Sequence, residues 1–483
     1  MRTQPRIPVA THDIRRVFVA NRGEIAVRVI RACRSLGIES VIGVSEADLT
    51  TLGAELADEA VVIGPAPVGE SYLRADKIVA AALAAACDAI HPGYGFLSER
   101  AHFARACQNA GLVFIGPSPE AIEAMGDKIT AVALAEQAGV PRVPGSGALK
   151  DTAHAARVAQ EIGYPVLIKA TAGGGGRGMR VVRQAAELDA LMRSAANEAQ
   201  SAFGDPTLYM EKFIERARHI EIQVMADAHG HVVHLGEREC STQRRHQKLL
   251  EEAPSPSVST AMRHAMGECA VRLTRNARYC GAGTVEFVVD ELDGGFYFLE
   301  MNTRIQVEHP VTEMVTGIDL VAEQIRVACG LPLSFTQAQV HLRGHAIECR
   351  INAEDAEQGF SPCPGLITGW EVPVGEGIRF DSHAYAGYTV PPDYDSLIGK
   401  LIVHANTRPL AIARMQQALG ELRVVGPATT VPFHLALLAH PDFIGAKVTT
   451  RWVEDSFIPQ RQTAAQGRQP AQQHGAAHTE VHT

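Results

Sequence analysis

Polar residues alternate with apolar ones along the segment Phe296–Glu308, and this pattern restricts the fold more than any other in the chain. From residue 300 onward every second residue is polar, and these five residues are Glu300, Asn302, Arg304, Gln306 and Glu308. An extended segment would direct all five side chains to one side. Strands usually contain about five or six residues, so residues 304–308 suit either the strand or the start of a loop.

A second strand pattern precedes this segment and predicts a hairpin. Thr284–Asp290 reads as a strand, and a turn-rich stretch of five residues separates it from the alternating segment. If Asp290 pairs with Phe296, then Glu286 lies opposite Glu300. The hairpin would therefore bring two carboxylates face to face.

Opposed carboxylates repel each other unless a cation lies between them. Glu286, Glu300 and Asn302 supply hard oxygen ligands, which suit Mg²⁺ or Mn²⁺. We therefore predict a divalent-metal site that also engages phosphates. The alternative is an amphipathic surface hairpin whose charges are solvated.

Composition narrows the class of protein. At 483 residues the chain is too long for one core and is expected to form about three domains. The net charge of -9 and the pI near 6.1 give no overall basic field, so no nucleic-acid partner is expected. Residues 1–12 lack the apolar core of a signal peptide, and the longest apolar run, Ile78–Cys87, is too short for a membrane span. We therefore expect a cytoplasmic protein, and nine cysteines without C-x-x-C spacing indicate reduced thiols.

The N-terminal part has the pattern of a nucleotide-binding α/β fold. A strand, a helix and a second strand follow one another within residues 17–44. The first turn has one glycine, Gly23, and no G-x-G-x-x-G, so a dinucleotide site is not predicted. The loop His91–Phe96 follows a later strand end, where open parallel sheets place ligands. A tight turn with a packed aromatic side chain is the alternative for this loop.

A small α/β unit follows Pro141 and Pro144 and contains a glycine run between two strands. Four consecutive glycines, residues 173–176, let backbone N–H groups approach an anion, and Lys169 and Arg177 add positive charge. The spacing differs from G-x-x-x-x-G-K-S/T, which excludes a P-loop NTPase. The run predicts phosphate binding, with a flexible hairpin turn as the alternative.

Three further segments bear on the site. Tyr209–Ile214 reads as a connecting strand whose exposed backbone could hydrogen-bond an adenine edge. His219–Met225 alternates polar and apolar residues, which indicates a half-buried structural strand. Glu237–Lys248 concentrates cations beside acids in an otherwise acidic chain. Such a run is typical of a solvated loop, but it also suits an anionic substrate.

The C-terminal part predicts an antiparallel sheet. Arg343–Asn352 alternates, with Arg350 on its polar face, where it could simply pair with Glu348 or Glu354. From about Arg461 the chain consists largely of Gln, Ala, His and Gly without an apolar period, so the tail is expected to be disordered.

Several blocks together resemble the biotin carboxylases, which are members of the ATP-grasp superfamily. The matching blocks are residues 20–26, 91–99, 125–128, 169–179, 243–248, 300–312 and 343–354. The ordered set extends over about residues 14–457, and the run Asn302–Pro310 is highly specific. The resemblance implies an α/β and α+β multidomain fold. A Rossmann-like N-terminal domain would cover residues 13–126, and an ATP-grasp domain with a mobile lid at about 143–210 would cover residues 127–340. A mainly antiparallel C-terminal domain would follow at 341–460, and residues 461–483 would be a disordered tail.

Carried onto matching positions, the resemblance implies a role for each site residue. ATP would be bound by Lys128, Lys169, Gly175, Gly176, Glu211, Lys212, Ile214, His219, His246, Glu286 and Glu300. The metal ion, Mg²⁺ or Mn²⁺, would be held by Glu286, Glu300 and Asn302. Bicarbonate would be bound by Lys248, Arg304, Gln306 and the Val307 backbone, with Glu308 as its base. Biotin would contact Arg350 and Tyr94, and the catalytic residues would be Lys248, Arg304, Glu308 and Arg350.

The family reaction has two steps. Bicarbonate attacks the γ-phosphate of ATP to give carboxyphosphate, and the carboxyl group then passes to the ureido nitrogen of biotin. Metal and lysine neutralise phosphate charge, an arginine fork grips planar bicarbonate, and a carboxylate base removes its proton. We expect Arg350 to act in the second step only, by stabilising charge on the ureido oxygen.

The resemblance also implies partners. The chain has no Ala-Met-Lys-Met biotinylation motif and no room for a carboxyltransferase, so biotin is expected on a separate biotin carboxyl carrier protein. Carboxyltransferase subunits, a homodimer, and acetyl-CoA as the acceptor in fatty acid biosynthesis are further expectations. One alternative is another ATP-grasp ligase with a different carboxylate substrate, against which Arg304–Pro310 argues. The other is a catalytically silent nucleotide-binding subunit, although no motif residue is missing.

Overall fold

The N-terminal part of the protein is built around a five-stranded parallel sheet. The computed structural model describes residues 11–171 and 179–466. The first elements are β1 (Arg16–Val19), α1 (Gly23–Ser35), β2 (Glu39–Ser45), α2 (Leu52–Leu56), β3 (Glu59–Gly64), α3 (Ala75–Ala84), β4 (Ala89–His91), α4 (Ala101–Asn109), β5 (Val113–Phe114) and α5 (Pro119–Gly126). The strand order is β3-β2-β1-β4-β5, and every neighbouring pair is parallel.

Helices cover both faces of this sheet because the side chains of β1 alternate between them. Val17 and Val19 pack with α1 on one face, whereas Phe18 packs with α3 and α4 on the other. The Rossmann-like prediction is therefore confirmed. Strand β3 was not predicted from the sequence, although it contains the apolar run Ala60–Ile63; it is an edge strand whose side chains are largely exposed.

A small unit with its own apolar core follows. The elements from residue 128 onward are α6 (Lys128–Gln137), α7 (Thr152–Ile162), β6 (Val166–Ala170), β7 (Arg180–Val182), α8 (Leu188–Phe203) and β8 (Leu208–Lys212). The three strands form an antiparallel sheet in the order β7-β6-β8, against which α7 and α8 pack. The predicted glycine run at residues 172–178, between β6 and β7, lies outside the described residues.

The largest sheet has eight antiparallel strands. The elements up to its sixth strand are β9 (Ala217–Ala226), β10 (Val232–Arg244), β11 (Gln247–Ala253), α9 (Thr260–Asn276), β12 (Gly281–Asp290), β13 (Phe296–Asn302), α10 (His309–Thr316), α11 (Leu320–Ala328) and β14 (His345–Asn352). The remaining elements are β15 (Glu354–Asp355), β16 (Ser361–Pro362), β17 (Gly365–Leu366), β18 (Gly369–Glu371), β19 (Ile378–Ser382), β20 (Thr389–Val390), β21 (Leu397–Ala405), α12 (Arg408–Glu421), β22 (Arg423–Val425), α13 (Val431–Leu438), α14 (Pro441–Ile444) and α15 (Ile458–Gln466).

These eight strands form one continuous sheet that spans the central and C-terminal parts of the chain. Their order is β13-β12-β9-β10-β11-β14-β21-β19, and every neighbouring pair is antiparallel. The predicted antiparallel C-terminal sheet is confirmed, but it is not a separate sheet, because β14 pairs directly with β11. Residues far apart in sequence are thereby placed side by side.

The predicted hairpin is present, with a register that differs in one detail. Glu286 lies opposite Glu300, as predicted, but Phe296 pairs with Val289 rather than with Asp290. A β-bulge at Leu299 adds one residue to β13 and restores the predicted register at the glutamates. The strand ends at residue 302, so residues 304–308 form a loop rather than more strand.

A helix covers the first residues of the segment that was predicted to be disordered. A π-helical turn at Val453–Phe457 continues into α15, which extends to Gln466, five residues beyond the expected start of disorder at Arg461. The Arg461 guanidinium lies over the ring of Phe457 and pairs with Glu357, which holds this turn on the domain. Among residues 11–171 and 179–466, no helix is long and apolar enough to cross a membrane.

Candidate active site

A buried lysine surrounded by three carboxylates lies at the centre of the large sheet. The Nζ atom of Lys248, on β11, donates to Glu221 at 2.6 Å, to Glu308 at 2.6 Å and to Glu286 at 3.1 Å. These four residues come from β9, β11, β12 and the N-cap of α10. We call them the Lys248 cluster. The polar face of β9 is buried against it, so the prediction of a half-buried strand at 219–225 is wrong.

Arg238 organises the floor of this cluster and is fully buried. Its guanidinium donates to five side chains, which are those of Glu221, Gln223, Thr284, Gln306 and Thr312. A buried arginine is tolerated only when its donors are satisfied. Arg238 therefore fixes Glu221 and Gln306 in position, although it was not among the predicted site residues.

Arg350, on β14, joins the cluster from the C-terminal strands. It donates to Glu251 of β11 at 2.7 Å and to Glu308 at 2.9 Å. It thus pairs with these two residues rather than with Glu348 or Glu354, the alternative that the sequence left open. Burial raises the pKa of Glu251 to about 7, and the charge of Arg350 offsets only part of this effect.

Glu308 and Glu286, two of the acids that face Lys248, stay ionised. Burial alone would raise the pKa of Glu308, but the charges of Lys248, Arg350 and Arg238 outweigh burial and hold the pKa well below 4.5. Burial would likewise raise the pKa of Glu286, but Lys248 and a neighbouring histidine hold it well below 4.5. Burial would lower the pKa of Lys248, but the three surrounding carboxylates keep it well above 10.5. The lysine is therefore charged.

Two of the predicted metal ligands, Glu286 and Glu300, lie opposite each other in the hairpin. Desolvation and the charges of Glu286 and Glu99 raise the pKa of Glu300, a repulsion that a bound cation would relieve. Donor atoms of Glu286, Glu221 and His219 lie within 4.8 Å of one another, a group that does not include Glu300. Carboxylates with such spacing suit Mg²⁺ or Mn²⁺.

Asn302, the third predicted metal ligand, is engaged by protein groups in this structure. Its amide nitrogen donates to Glu286 at 2.9 Å, and its oxygen accepts from Arg304 at 2.9 Å. A metal ion at the glutamates could therefore use the Asn302 oxygen only if Arg304 releases it.

Of the two predicted bicarbonate ligands with functional side chains on the loop after β13, Gln306 contacts the Lys248 cluster and Arg304 does not. Gln306 donates to Glu286 at 2.8 Å and accepts from Arg238 at 2.8 Å. Arg304 is held by Glu99, whose carboxylate lies 2.9 Å from its Nε atom. Arg304 has no direct contact with Glu308 among the described hydrogen bonds and ion pairs.

Tyr94 reaches the same region from the N-terminal domain. Its hydroxyl donates to Glu24, at the start of α1, and Asn21 donates to the Tyr94 carbonyl at 2.7 Å. The adjacent Gly93 has a φ of 62°, and a Cβ atom there would lie 2.8 Å from the Asn21 amide nitrogen. The loop at 91–96 is therefore held close to α1, and it is more than a generic turn.

Several predicted nucleotide ligands lie on the small three-stranded unit. Lys169 of β6 pairs with Glu211 of β8, which places both predicted residues on one face. The Lys212 ammonium points elsewhere, because it donates to the carbonyls of Gly163 and Tyr164 at 3.0 and 3.1 Å. Lys128 begins α6, while Gly175 and Gly176 lie outside the described residues.

The predicted adenine-binding backbone of β8 is mostly paired already. One edge bonds to β6, and the other bonds to residues 144–149, including a 2.8 Å bond from the Lys212 N–H to Pro144. Because proline has no N–H, Pro144 returns no hydrogen bond to the Lys212 carbonyl. Within the predicted adenine-binding segment, the backbone groups left free for a nucleotide are therefore the Lys212 carbonyl and those of residues beyond β8, such as Ile214.

The two predicted histidines have different environments. His219 lies 2.8 Å from Glu286; burial lowers its pKa, but the charge of Glu286 outweighs burial and raises it. His246 and Arg245 are exposed and form the two-residue turn between β10 and β11, with φ values of 62° and 49°. Residues 237–248 are therefore a hairpin with buried charges, which corrects the solvated-loop alternative.

The fold and the carboxylate–lysine cluster together define an ATP-grasp enzyme. Residues 127–336 match the family described as carbamoyl-phosphate synthase L chain, ATP binding domain. Residues 13–122 match the biotin carboxylase N-terminal domain, and residues 348–455 match the biotin carboxylase C-terminal domain. The chain belongs to the biotin carboxylase family of ATP-dependent ligases.

Known relatives are similar over nearly their whole length. Biotin carboxylase of Nostoc sp. is 55% identical over 441 residues, which is 91% of this chain and 98% of the relative. A pyruvate carboxylase component of Methanothermobacter thermautotrophicus is 54% identical, over 91% of this chain and 89% of that protein. A solved structure is also similar, namely the biotin carboxylase domain dimer of Hydrogenobacter thermophilus 2-oxoglutarate carboxylase in complex with MgADP, ADP and bicarbonate. Its sequence is 50% identical and its TM-score is 0.84, and the match covers 92% of this chain and 98% of that chain.

Five charged side chains near the site were not predicted. They are Glu221, Arg238, Glu251, Glu24 and Lys400, and each is buried and pairs with a charged group. Arg238 lies in the segment 237–248, for which a solvated loop was one interpretation, whereas Glu251 follows that segment. The burial of Arg238, on a 13-residue strand that is almost wholly buried, became visible only in the structure.

Proposed function

We propose that this protein uses ATP and bicarbonate to carboxylate biotin on a separate carrier protein, through carboxyphosphate. The observation that carries the proposal is the position of Glu308, a buried carboxylate between Lys248 at 2.6 Å and Arg350 at 2.9 Å. Glu308 thus lies between a lysine that could neutralise phosphate and an arginine on the neighbouring strand β14. A base in this position suits a reaction that joins two substrates at one point.

For the first step, Lys248 would neutralise the γ-phosphate as bicarbonate attacks it. Lys169 and His219 would contact the nucleotide, and Glu286 and Glu300 would hold a divalent cation. When bound, that cation would reduce the negative charge of the phosphates. The relative from Hydrogenobacter thermophilus contains MgADP and bicarbonate, which supports these assignments.

Glu308 would take the bicarbonate proton. Its pKa is held below 4.5 mainly by Lys248 and Arg350, once burial is overcome. When phosphate and bicarbonate draw these cations away, Glu308 remains buried with less positive charge around it, and its affinity for a proton rises. Substrate binding would thus activate the base, with Arg304, Gln306 and the Val307 backbone holding bicarbonate.

In the second step, biotin would enter between Tyr94 and Arg350. Carboxyphosphate would release phosphate as its carboxyl group passes to biotin, and this phosphate would take the ureido proton. Negative charge would then develop on the ureido oxygen, and a guanidinium already in position would stabilise that charge. Glu251 would keep Arg350 oriented toward this point through its 2.7 Å hydrogen bond. The same arginine also contacts Glu308, but its catalytic role would be confined to this step.

The carrier, the acceptor and the assembly also belong to this proposal. We propose a biotin carboxyl carrier protein and carboxyltransferase subunits as partners, a homodimer, and acetyl-CoA as the acceptor. The dimer of the Hydrogenobacter thermophilus domain supports the homodimer. Relatives that belong to pyruvate and 2-oxoglutarate carboxylases define the competing acceptors. Carboxylation of each acceptor by the complex isolated from its native host distinguishes them.

Bicarbonate-stimulated ATP hydrolysis is the direct test of the proposed function. We expect the purified protein with Mg²⁺ to hydrolyse ATP faster when bicarbonate is added and to carboxylate free biotin. Stimulation by another carboxylate but not by bicarbonate would indicate a different ATP-grasp ligase. ATP binding without either activity would indicate a nucleotide-binding subunit.

The proposal includes three domains, at residues 13–126, 127–340 and 341–460. We propose that residues 143–210 form a lid that closes over ATP, since β6, β7, β8 and their two helices share a core of their own. Closure of a lid would exclude water from carboxyphosphate.

A further inference from the structure

Lys400 is a buried cation to which the proposed reaction assigns no role. It lies on β21 and is 0% exposed. Its Nζ atom donates to the carbonyl oxygen of Val307 at 2.6 Å and lies 3.0 Å from a carboxylate oxygen of Glu24. Burying a lysine costs free energy unless it is paired and hydrogen-bonded. The two contacts satisfy this need and join two different parts of the chain.

One contact of Lys400 fixes the bicarbonate loop. The Val307 carbonyl belongs to the peptide unit that leads into Glu308, so a hydrogen bond to this oxygen orients the peptide. Glu308 itself is the N-cap of α10. Lys400 therefore restrains the backbone that carries the proposed base.

The other contact reaches the biotin side. Glu24 is 2% exposed and accepts from the Tyr94 hydroxyl with the same oxygen, Oε1, that faces Lys400. Its second oxygen has no hydrogen-bond partner among the described residues. Lys400 is thus the direct cationic partner of the carboxylate that holds Tyr94 in place.

Other charges around Lys400 do not replace these contacts. Burial lowers the pKa of Lys400, but Glu24, Glu348 and Asp381 raise it and outweigh burial, while Arg379 opposes them. Of these acids, Asp381 is engaged by Arg379 at 2.6 Å. The ammonium is therefore charged, and its hydrogen bond to Val307 is charge-assisted.

We propose that Lys400 is a positioning residue that couples the two halves of the active site, holding the Val307–Glu308 peptide with one donor and, through Glu24, the hydroxyl of Tyr94 with another. The inference rests on the proposed function, because it assigns bicarbonate to the Val307 loop and biotin to Tyr94. According to this inference, the buried Lys400 side chain stabilises both the bicarbonate subsite and the biotin subsite.

The test compares Lys400→Met with Arg408→Met. Methionine keeps an unbranched stem of similar length but removes the charge and its donors. Arg408 is a matched control, since it is also a largely buried cation and pairs with Glu252 at 2.7 Å, away from the Val307 loop. Steady-state assays give KM for bicarbonate in ATP hydrolysis without biotin, KM for free biotin in carboxylation, and KM for ATP.

We expect Lys400→Met to raise KM for bicarbonate and for biotin by roughly tenfold or more each, because a lost hydrogen bond to a charged group commonly changes an equilibrium by that factor. KM for ATP should stay within about twofold, and Arg408→Met should leave all three values unchanged. A purely structural role would lower the active fraction without changing the KM values. Unchanged KM values in Lys400→Met would therefore overturn the proposal.

Coupling is tested with Tyr94→Phe in both backgrounds. We expect its effect on KM for biotin to be smaller in Lys400→Met than in the wild type, and equal effects would overturn the coupling. If Lys400→Met does not fold, Glu24→Gln replaces it, and an unchanged KM for biotin in that variant would overturn the proposal. Absence of bicarbonate-stimulated hydrolysis in the wild type would overturn the proposed function and this inference together, whereas an active wild type with unaffected variants overturns only the role of Lys400.

Discussion

Replacing Glu308 by glutamine separates its function as a base from its function in holding the cluster together. The carboxylate accepts hydrogen bonds from Lys248 at 2.6 Å and from Arg350 at 2.9 Å. Glutamine has nearly the same shape but cannot take a proton from bicarbonate at neutral pH. We therefore expect Glu308→Gln to fold, to bind ATP and to lose the first reaction step.

The two hydrogen bonds set the expected size of the stability change. A hydrogen bond to a charged group contributes roughly 1.5–3 kcal/mol. Glutamine keeps one acceptor oxygen, and each cation keeps another carboxylate, Glu221 for Lys248 and Glu251 for Arg350. We expect a loss of about 2–4 kcal/mol in the free energy of unfolding at pH 7. Loss of a general base should lower bicarbonate-dependent hydrolysis by roughly 10²–10⁴-fold.

The pH dependence of stability provides a second readout. The pKa of Glu308 in the folded protein is well below 4.5, so its stabilising effect is fully present above the pKa of an unfolded glutamate and is lost as the pH falls through the folded value. Glutamine does not titrate. The difference in unfolding free energy between the wild type and the variant should narrow below about pH 4.5, where Glu308 becomes protonated.

Calorimetric ATP binding, bicarbonate-dependent hydrolysis and urea unfolding at several pH values measure these effects. Glu313→Gln is the control, because Glu313 is also buried and accepts from two arginines, Arg28 at 2.8 Å and Arg379 at 2.7 Å, outside the Lys248 cluster. The control should lose stability without losing hydrolysis. Bicarbonate-dependent hydrolysis within twofold of the wild type in Glu308→Gln would refute the assignment of Glu308 as the base.

Three further predictions concern the metal, the nucleotide and biotin. Glu286→Gln and Glu300→Gln should each require more Mg²⁺ for half-maximal ATP hydrolysis, and an unchanged Mg²⁺ dependence in both would argue against a shared metal ion. Lys169→Met should raise KM for ATP about tenfold or more, by loss of a charge-assisted contact, while KM for bicarbonate is unaffected; equal increases would contradict a role confined to the nucleotide. Arg350→Ala should lose roughly 10²–10³ in biotin carboxylation while slow bicarbonate-dependent hydrolysis survives, because Glu308 keeps its lysine partner; a parallel loss of both activities would place Arg350 in the first step.

The sequence alone determined the local chemistry of the site. The period-two pattern after Phe296 and the turn-rich stretch before it predicted the hairpin and the opposition of Glu286 and Glu300, which the structure confirms. This succeeded because strand alternation and hairpin loops are short-range properties. The ordered motifs also pointed to the family, to which the relatives show the chain belongs.

Only the tertiary structure decided which distant strands lie side by side. Alternation in β14 showed that Arg350 lies on a polar face, but not that this face meets Glu308, 42 residues away in the chain. Lys400 lies in an apolar strand, and its contact with Val307, 93 residues away, became visible only when β21 was placed beside β14. A periodic pattern specifies the face of a strand that is buried, whereas the pairing of strands depends on long-range packing, which is why these buried charges were found only in the folded protein.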